Sequence, residues 1–267
     1  MVKRYGVVAV ACVAAAAMGL TACGGRKPDG VATTGGTTAQ ERRPSTSLED
    51  MTAQQISTAA GDELAAALSL HFKLDSTPKA GPSEHFDLDV DSAGNCAGKV
   101  STDNGSAEVI KLGDAVWLKP DRQLWTQQSG AQAAEKFAGR YIHGTTSHPL
   151  LKGLAGSCNL KGLQDNASKP GPRDQEMVKG KPTVINGQKV LPIIDRRGQT
   201  TVYVAAEGKP YPVRLVLEGD EATTLTLTNW DKPVTTSTPS ADQTIDVDDL
   251  AGAGEQPSHS GEPGFLT

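Results

Sequence analysis

The regular hydrophobic pattern of the chain begins near Met51, where it predicts a helix. Thr52 and Gln55 have the spacing of a capping box, in which each residue satisfies a backbone N–H at the start of a helix. Side chains at helical spacing then follow, at Ile56, Ala60, Leu64, Ala67, Leu68 and His71. The sequence therefore predicts an amphipathic helix that ends at about Leu70.

Alternating patterns that predict β-strands follow this helix. In residues 86–91 apolar side chains alternate with aspartates, so one face of the strand would be apolar and the other solvated. Turn dipeptides, of which Asn186-Gly187 is the strongest, predict hairpins between neighbouring strands. Further strand-like segments are residues 96–102, 107–112, 115–119, 123–127, 182–185, 189–194, 200–205, 213–218 and 223–230.

Helical patterns separate the two groups of strands, at residues 131–138 and 149–163. Consecutive hairpins without alternating helices and strands favour an antiparallel sheet with helices grouped on one face, which is an α+β domain. We expect this domain to span residues 49–247. Residues 240–267 contain six acidic residues and no Lys or Arg, and we expect a disordered acidic tail over residues 248–267.

The start of the chain has the pattern of an export signal. Lys3 and Arg4 precede an apolar run over residues 6–20, which is too short to span a bilayer comfortably. The run ends in Leu20-Thr21-Ala22-Cys23, which resembles a bacterial lipobox. We therefore predict a signal peptide over residues 1–22 and lipidation of Cys23, with acyl chains such as palmitate that would anchor the protein. An ordinary signal peptide and an uncleaved anchor are the alternatives.

Cleavage before Cys23 changes both the charge and the cysteine count. The formal charge of −5 becomes −7 when Lys3 and Arg4 are lost, and this acidity argues against a nucleic-acid partner. Of the four cysteines, two remain unmodified, Cys96 and Cys158. Outside the cytoplasm one disulfide is their simplest interpretation, and two free thiols or a metal pair are the alternatives.

Residues 23–48 form a polar linker that is rich in Gly and Thr and contains two prolines. Such a segment buries too little apolar surface to fold, so we expect a flexible tether that holds the domain roughly 25–30 Å from the membrane.

The sequence contains little that predicts catalysis, and we expect neither an enzyme nor a bound cofactor. The motifs of serine hydrolases, P-loop proteins and zinc peptidases do not occur. Ser76 and Lys79 match Ser-x-x-Lys without its companion motifs. Asp87, Asp89 and Asp91 resemble the start of a calcium loop whose later ligand positions do not match. The spacing of His143 and His148 does not fit a metal site on one helical face, so no metal site is expected. Aliphatic strand positions fit either an apolar cavity or an ordinary core.

The late strands carry a resemblance to a known family. Residues 202–215, from Val202-Tyr203-Val204-Ala205 to Val213-Arg214-Leu215, resemble the paired late strands of the actinobacterial LppX/LprG-type lipoproteins, as do residues 229–234. These proteins share the fold of the lipoprotein carrier LolA, and the Cys96/Cys158 pair resembles a Streptomyces-like branch. The resemblance implies a strongly curved antiparallel sheet, a half barrel, with helices packed on its concave face over a lipid-binding cavity. It defines no cavity-lining residues.

Together these patterns predict a membrane-anchored, exported lipoprotein, held on the extracytoplasmic face of the cell membrane. The main hypothesis is that it binds or carries a lipid or another hydrophobic ligand in a cavity between sheet and helices. The alternatives are a non-transporting cell-envelope interaction or sensor lipoprotein with a solid core, and a hydrolase whose site no motif marks. We expect a monomer whose partners are membrane lipids, reached through the acylated N-terminus, and the hydrophobic ligand.

Overall fold

A single large sheet is the main element of the computed structural model, which describes residues 47–168 and 176–252. Thirteen strands belong to this sheet within the described residues. In chain order they are β1 Ser69–Pro78, β2 Glu84–Asp91, β3 Cys96–Thr102, β4 Gly105–Leu112, β5 Ala115–Pro120, β6 Tyr141–Thr145, β7 Met177–Lys179, β8 Thr183–Ile185, β9 Gln188–Asp195, β10 Thr200–Ala205, β11 Pro212–Leu217, β12 Glu221–Thr228 and β13 Thr244–Asp246.

Five α-helices accompany the sheet in the same described ranges. They are α1 Ala53–Ala66, α2 Arg122–Phe137, α3 Pro149–Ala155, α4 Leu160–Ser168 and α5 Val247–Gly252. The α1 helix begins as the sequence predicts, because Thr52 and Gln55 form both hydrogen bonds of a capping box.

The strands follow the order β13-β6-β5-β4-β3-β2-β1-β12-β11-β10-β9-β7, and β8 also pairs with β9. All neighbouring strands are antiparallel except β13, which runs parallel to β6. Strand β1 lies inside the sheet, between β2 and β12. The predicted α+β class with an antiparallel sheet is therefore confirmed.

The strand register places one row of apolar positions across the first half of the sheet. Phe72 of β1 pairs with Leu88 of β2, and Val109 of β4 pairs with Leu118 of β5, which pairs with Ile142 of β6. All five side chains are at most 9% exposed. Because alternate residues of a strand point to the same face, this row defines an apolar face of the sheet.

Helices cover this apolar face. Trp125 of α2, Leu151 of α3 and Leu160 of α4 are buried in the same core cluster as the strand residues. At the other end of the sheet, Ile56 of α1 is fully buried in a second cluster with Ile193 of β9 and other residues of β9 and β10. The helices thus share the burial of one sheet face, as expected for this fold class.

The predicted helix up to Leu70 is wrong at its C-terminal end. Helix α1 ends at Ala66, and β1 starts at Ser69. The last apolar positions of the pattern fit both helical and alternating spacing. These residues form a strand because they pair with β2 on one side and with β12 on the other. The side chain of Asp231 fixes the change of direction by accepting a hydrogen bond from the backbone N–H of Leu68 at 2.9 Å.

The predicted strand over residues 123–127 is also wrong, because these residues belong to α2. Asp121 caps this helix, and its Oδ1 accepts from the backbone N–H of Leu124 at 2.7 Å. The predicted helix over residues 131–138 is the second part of α2, beyond a break at Gly130, whose φ of 83° is not helical.

The expected disordered tail does not start at residue 248, because α5 occupies Val247–Gly252. Val247, the first residue of this helix, is 4% exposed, so the start of the helix is stabilised by burial of an apolar side chain. The rest of that tail, the signal peptide, Cys23 and nearly all of the tether lie outside the described residues. Sequence patterning also missed β6, β7 and β13, of which β7 and β13 have three residues each.

Candidate functional site

An apolar cavity of about 130 Å³ lies between the sheet and three of the helices. Its lining comes from β5, β6, α2, α3 and α5, through Leu118, Pro120, Leu124, Trp125, Gln128, Ser129, Ile142, Leu150 and Leu250. The volume is close to that of a protein cavity that accepts one benzene molecule, roughly 150 Å³. It is below the range of about 300–1,000 Å³ that is usual for ligand pockets.

The polar part of the lining lies at the exposed end of the cavity. Gln128 and Ser129 are exposed residues of the turn of α2 that precedes the break at Gly130. Leu118 and Ile142, by contrast, are each 5% exposed and form the sheet side of the cavity. The cavity thus has an apolar interior and a neutral polar rim.

Asp121 fixes the N-terminus of α2 against the sheet. One of its carboxylate oxygens caps the helix at Leu124, and the other accepts from the backbone N–H and the hydroxyl of Ser106 in β4, both at 2.8 Å. Burial alone would raise the pKa of Asp121, but these hydrogen bonds outweigh it and hold the pKa below its usual range. The helix side of the cavity is therefore anchored by an ionised carboxylate.

Trp125 is the largest side chain that lines the cavity. It is 8% exposed, and its ring packs against Phe137 with 5.4 Å between the ring centroids. Its indole Nε1 is buried and has no hydrogen-bond partner in the part of the chain that the structure describes. Buried donors are nearly always paired in proteins, so this one calls for an explanation.

A disulfide ties the segment between α3 and α4 to the sheet. It joins Cys96 of β3 to Cys158, with 5.4 Å between the two Cα atoms. Cys96 is fully buried and Cys158 is 4% exposed, so the bridge lies within the core. The bridge therefore restricts how far α3 can move away from the cavity.

The C-terminal segment closes the cavity from the side of β6. Val247, at the start of α5, packs closely on Gly144 of β6. A Cβ atom added to Gly144 would lie 2.7 Å from Cγ1 of Val247. His143 and His148 each lie 3.8 Å from an acid of this segment, Asp246 and Asp248 respectively. Both histidines thus contact the C-terminal segment through different acids.

The aspartates of the calcium-like pattern lie on the polar side of β2. Asp87 and Asp89 contact His71 of β1, with nitrogen–oxygen distances of 3.3 and 3.2 Å. Asp91 instead accepts hydrogen bonds from Asn95 in the turn that follows. These contacts fit the interpretation of the aspartates as the solvated face of a strand.

The polar face of the sheet also holds an ion-pair group beside the cavity strands. Glu108 contacts Lys119 Nζ at 2.7 Å and accepts from the Tyr141 hydroxyl at 2.7 Å. Burial alone would raise the pKa of Glu108, but these two hydrogen bonds outweigh it, and the pKa lies below its usual range.

Lys79, of the Ser-x-x-Lys pattern, forms an ion pair with Asp220, and Ser76 accepts from Thr223 at 3.2 Å. The pattern thus contributes to packing at the end of β1.

Within residues 47–168 and 176–252, no group of three or more His, Cys, Asp or Glu side chains is placed to hold a metal ion. In the same residues no helix has the length and apolar character needed to span a membrane.

Comparison with solved structures identifies the fold. LprF from Mycobacterium bovis superposes with a TM-score of 0.50 at 16% identity, over 71% of this chain and 97% of LprF. The chain shares its fold with LprF. This likeness supports the α+β architecture expected from the sequence.

Two further structures have lower scores. The lipoprotein LppX from Mycobacterium tuberculosis gives a TM-score of 0.44 at 16% identity, over 69% of this chain and 98% of LppX. A LolA superfamily protein from Nitrosomonas europaea gives 0.25 at 13% identity, over 70% and 96% of the two chains. No protein-family model matches the sequence, and no curated protein is significantly similar to it.

The site residues that the sequence predicts and those that the structure shows differ. Sequence reasoning named Cys96 and Cys158, which the structure joins, and Cys23, which lies outside the described residues. It did not find Trp125, because residues 123–127 were interpreted as a strand. The aspartate at position 121, directly after a proline, is the signal that could have revealed the helix start.

Proposed function

We propose that this protein is an exported, membrane-anchored lipoprotein that binds a lipid or another hydrophobic ligand between its sheet and its helices. The observation that carries the proposal is the apolar cavity lined by Leu118 and Ile142 of the sheet and by α2, α3 and α5. Burial of alkyl surface in such a space is favourable by roughly 25 cal/mol per Å².

The size of the cavity limits what it can hold. About 130 Å³ is too small for a complete acyl chain, so we propose that only the end of a chain enters it. Leu150 lines the cavity and is 62% exposed, so apolar surface continues from the interior onto α3. The remainder of a chain would lie along this exposed surface.

The proposal includes the parts of the molecule outside the described residues. Residues 1–22 would be removed, Cys23 would carry the acyl chains, and residues 23–48 would tether the folded domain, which would extend from residue 49 to the end of α5 at Gly252. The curvature of the sheet into a half barrel, with the helices on its concave side, also belongs to the proposal. The lipobox, the polar composition of the linker and the fold shared with LprF support it.

The small cavity volume also favours a second candidate, an envelope interaction or sensor lipoprotein with a solid core. In that case the apolar face would serve folding alone, and a partner protein would bind elsewhere. The two candidates differ in one measurable property, the uptake of an alkyl ligand.

Binding of a fluorescent acyl probe to the unacylated Cys23→Ala chain tests the proposal. In this background we expect Leu150→Gln to weaken binding about fivefold, because a leucine that contacts the chain contributes on the order of 1 kcal/mol. Leu68→Gln is the matched control, since Leu68 is 66% exposed and does not line the cavity.

Native mass spectrometry of the wild-type protein from its own membrane is the second measurement. A copurifying lipid, together with weaker probe binding by the Leu150 variant only, would support the ligand-binding proposal. If no lipid copurifies and neither parent chain nor variants take up the probe, the solid-core candidate is favoured.

A further inference from the structure

Resting on the proposed function, we infer that the C-terminal segment, formed by β13 and α5 (residues 244–252), is a gate of the cavity. In the structure this segment covers the apolar interior beside β6, and an alkyl ligand displaces it on entry. The cavity of about 130 Å³ is then the closed state, and the space that α5 leaves admits more of an acyl chain. The inference assigns the regulation of this binding site to one segment of the chain.

Apolar side chains place the segment against the core. Val247 is 4% exposed, and both Val247 and Leu250 pack in the core cluster of the first half of the sheet. A Cβ atom added to Gly144 of β6 would lie 2.7 Å from Val247 Cγ1 and 2.8 Å from Leu151 Cδ1, so α5 and α3 converge on this glycine. Leu250 lines the cavity itself. An alkyl chain would be stabilised by the same apolar surfaces, so ligand and segment compete for them.

The acidic side chains of the segment make weak contacts at the surface. Asp246 is 53% exposed and lies 3.8 Å from His143, and Asp248 is 87% exposed and lies 3.8 Å from His148. Both distances are too long for a hydrogen bond, and ion pairs at such exposure contribute little to stability. Water can replace these contacts when the segment moves.

The segment has little structure of its own. Strand β13 has three residues and, among the described residues, pairs with β6 alone, in parallel orientation. The Arg140 guanidinium adds one hydrogen bond, to the backbone oxygen of Thr244 at 3.0 Å. Helix α5 has six residues, and a helix this short is not stable without packing. Loss of the contacts with β6 would therefore release β13 and α5 together.

The connection to the rest of the sheet permits such a movement. Residues 229–243 contain neither a strand nor an α-helix and separate β12 from β13. Asp231 fixes the start of this connection, where its backbone N–H donates to the backbone oxygen of Ser69 at 2.8 Å. Long connections without secondary structure are uncommon in compact domains and usually form lids, binding loops or linkers. Strand β13 can therefore leave β6 while β12 keeps its place between β1 and β11.

A disulfide that locks β13 to β6 tests the inference. His143 and Asp246 are register partners with their side chains 3.8 Å apart, so cysteines at both positions can form a bridge, verified by peptide mapping. In the Cys23→Ala chain we expect the oxidised His143→Cys/Asp246→Cys protein to bind a fluorescent acyl probe at least about tenfold more weakly than the parent. His143→Ser/Asp246→Ser loses the same contact without the bridge and should bind at least as tightly as the parent. Lys73→Cys/Thr226→Cys joins β1 to β12 and is the control for a bridge that does not restrain the gate.

A substitution that pushes the segment away from β6 should have the opposite effect. Gly144→Ala places a Cβ atom against Val247 and Leu151, and we expect about threefold tighter probe binding because the closed state becomes less favourable. Gly153→Ala, in open space on α3, is the matched control and should leave probe binding unchanged.

Hydrogen exchange of the parent chain gives a readout that a purely structural role of α5 would not change. Addition of the acyl probe should make the backbone amides of residues 244–252 exchange at least about tenfold faster, because displacement exposes them to water. Binding to a cavity with fixed walls would slow their exchange instead. The amides of β1, which lies inside the sheet, are the internal reference.

The outcomes separate the two proposals. If the locked protein binds the probe as tightly as the parent, or exchange of residues 244–252 slows on binding, the gate is wrong while the cavity remains a binding site. If the serine pair binds as weakly as the locked protein, the effect belongs to the lost side chains and the gate is again wrong. If neither the parent nor Gly144→Ala takes up the probe, the proposed function itself fails.

Discussion

Single residues determine how the cavity wall is held, and Asp121 shows this most directly. Its carboxylate accepts three hydrogen bonds, one from the helix start at Leu124 and two from Ser106 of the sheet. The ionised form is the one that accepts all three, which is why its pKa lies below the usual range. The position of α2 is thereby coupled to the protonation of one side chain.

We predict that Asp121→Asn lowers the free energy of unfolding by about 1–2 kcal/mol at pH 7. The carbonyl oxygen of an asparagine can still cap the helix, but its NH₂ group would then face Ser106 and could accept neither of the two hydrogen bonds from that residue. Because the folded pKa of Asp121 is lowered, its stabilisation is present above the unfolded pKa and is lost as the pH falls through the folded pKa.

The difference between wild type and variant should therefore shrink as the pH falls below about 4, the ordinary pKa of an aspartate, measured by urea unfolding. Asp62→Asn, at an exposed position of α1, is the matched control for the loss of one acidic side chain. A constant difference across this range would contradict the role given to the charge.

Two glycine substitutions should have opposite effects on stability. A Cβ atom at Gly98 of β3 would lie 2.0 Å from the backbone oxygen of Asp87 in β2, at a φ of 150°. We predict that Gly98→Ala lowers the free energy of unfolding by about 2 kcal/mol or more, because the β2–β3 ladder must shift. Gly61→Ala, in open space on α1, should raise it by about 0.5–1 kcal/mol. Thermal unfolding of both variants measures this, and a stable Gly98→Ala protein would refute the close approach of the two strands.

At the scale of elements, the disulfide is a covalent constraint on the helical layer. Its two cysteines are 62 positions apart, and it holds the α3–α4 connection on β3. We predict that the double variant Cys96→Ala/Cys158→Ala loses about 2–4 kcal/mol of unfolding free energy, measured by chemical denaturation.

Reduction provides the control for this prediction. Dithiothreitol should lower the unfolding midpoint of the wild type towards that of the double variant and should leave the variant unchanged. Equal midpoints of wild type and double variant without reductant would show that the bridge contributes nothing.

How far the elements could be predicted depends on what stabilises each of them. The segments 96–102 and 200–205 were predicted with the bounds that the structure shows, because alternation and turn signals agree there. The start of β1 was misinterpreted as the end of the first helix. The position of this strand depends on pairing with β2 and β12, and both of these strands come later in the sequence. The three-residue strands β7 and β13 are too short for any periodicity to appear.

The candidate site was predictable only in kind. Apolar strand positions such as Val109 indicated an interior face, but a filled core and a cavity have the same pattern. Which side chains meet at the cavity depends on how α2, α3 and α5 come together from distant parts of the chain. The unpaired donor of Trp125 is a property of that packing and has no counterpart in the sequence.

At the scale of the whole molecule, the anchor is the feature to be tested. We predict that Cys23→Ala abolishes incorporation of radiolabelled palmitate and releases the protein from the membrane into the medium, because stable anchoring requires the acyl chains. Fractionation and autoradiography measure both effects, and Cys12→Ala, within the leader, is the matched control. Unchanged membrane retention of the Cys23 variant would contradict the lipobox interpretation.

The place of β1 in the sheet has a consequence for how the protein is made. Its neighbours are β2, which follows at once, and β12, whose last residue is Thr228. Within the run from β1 to β6 each strand pairs with the strand that follows it, so this part of the sheet can form as soon as it emerges. In contrast, β1 stays open on one side until β12 arrives, and β6 until β13 arrives. Contacts of such sequence separation form slowly. In an exported chain, one edge of β1 would therefore stay unpaired until nearly the entire chain has crossed the membrane.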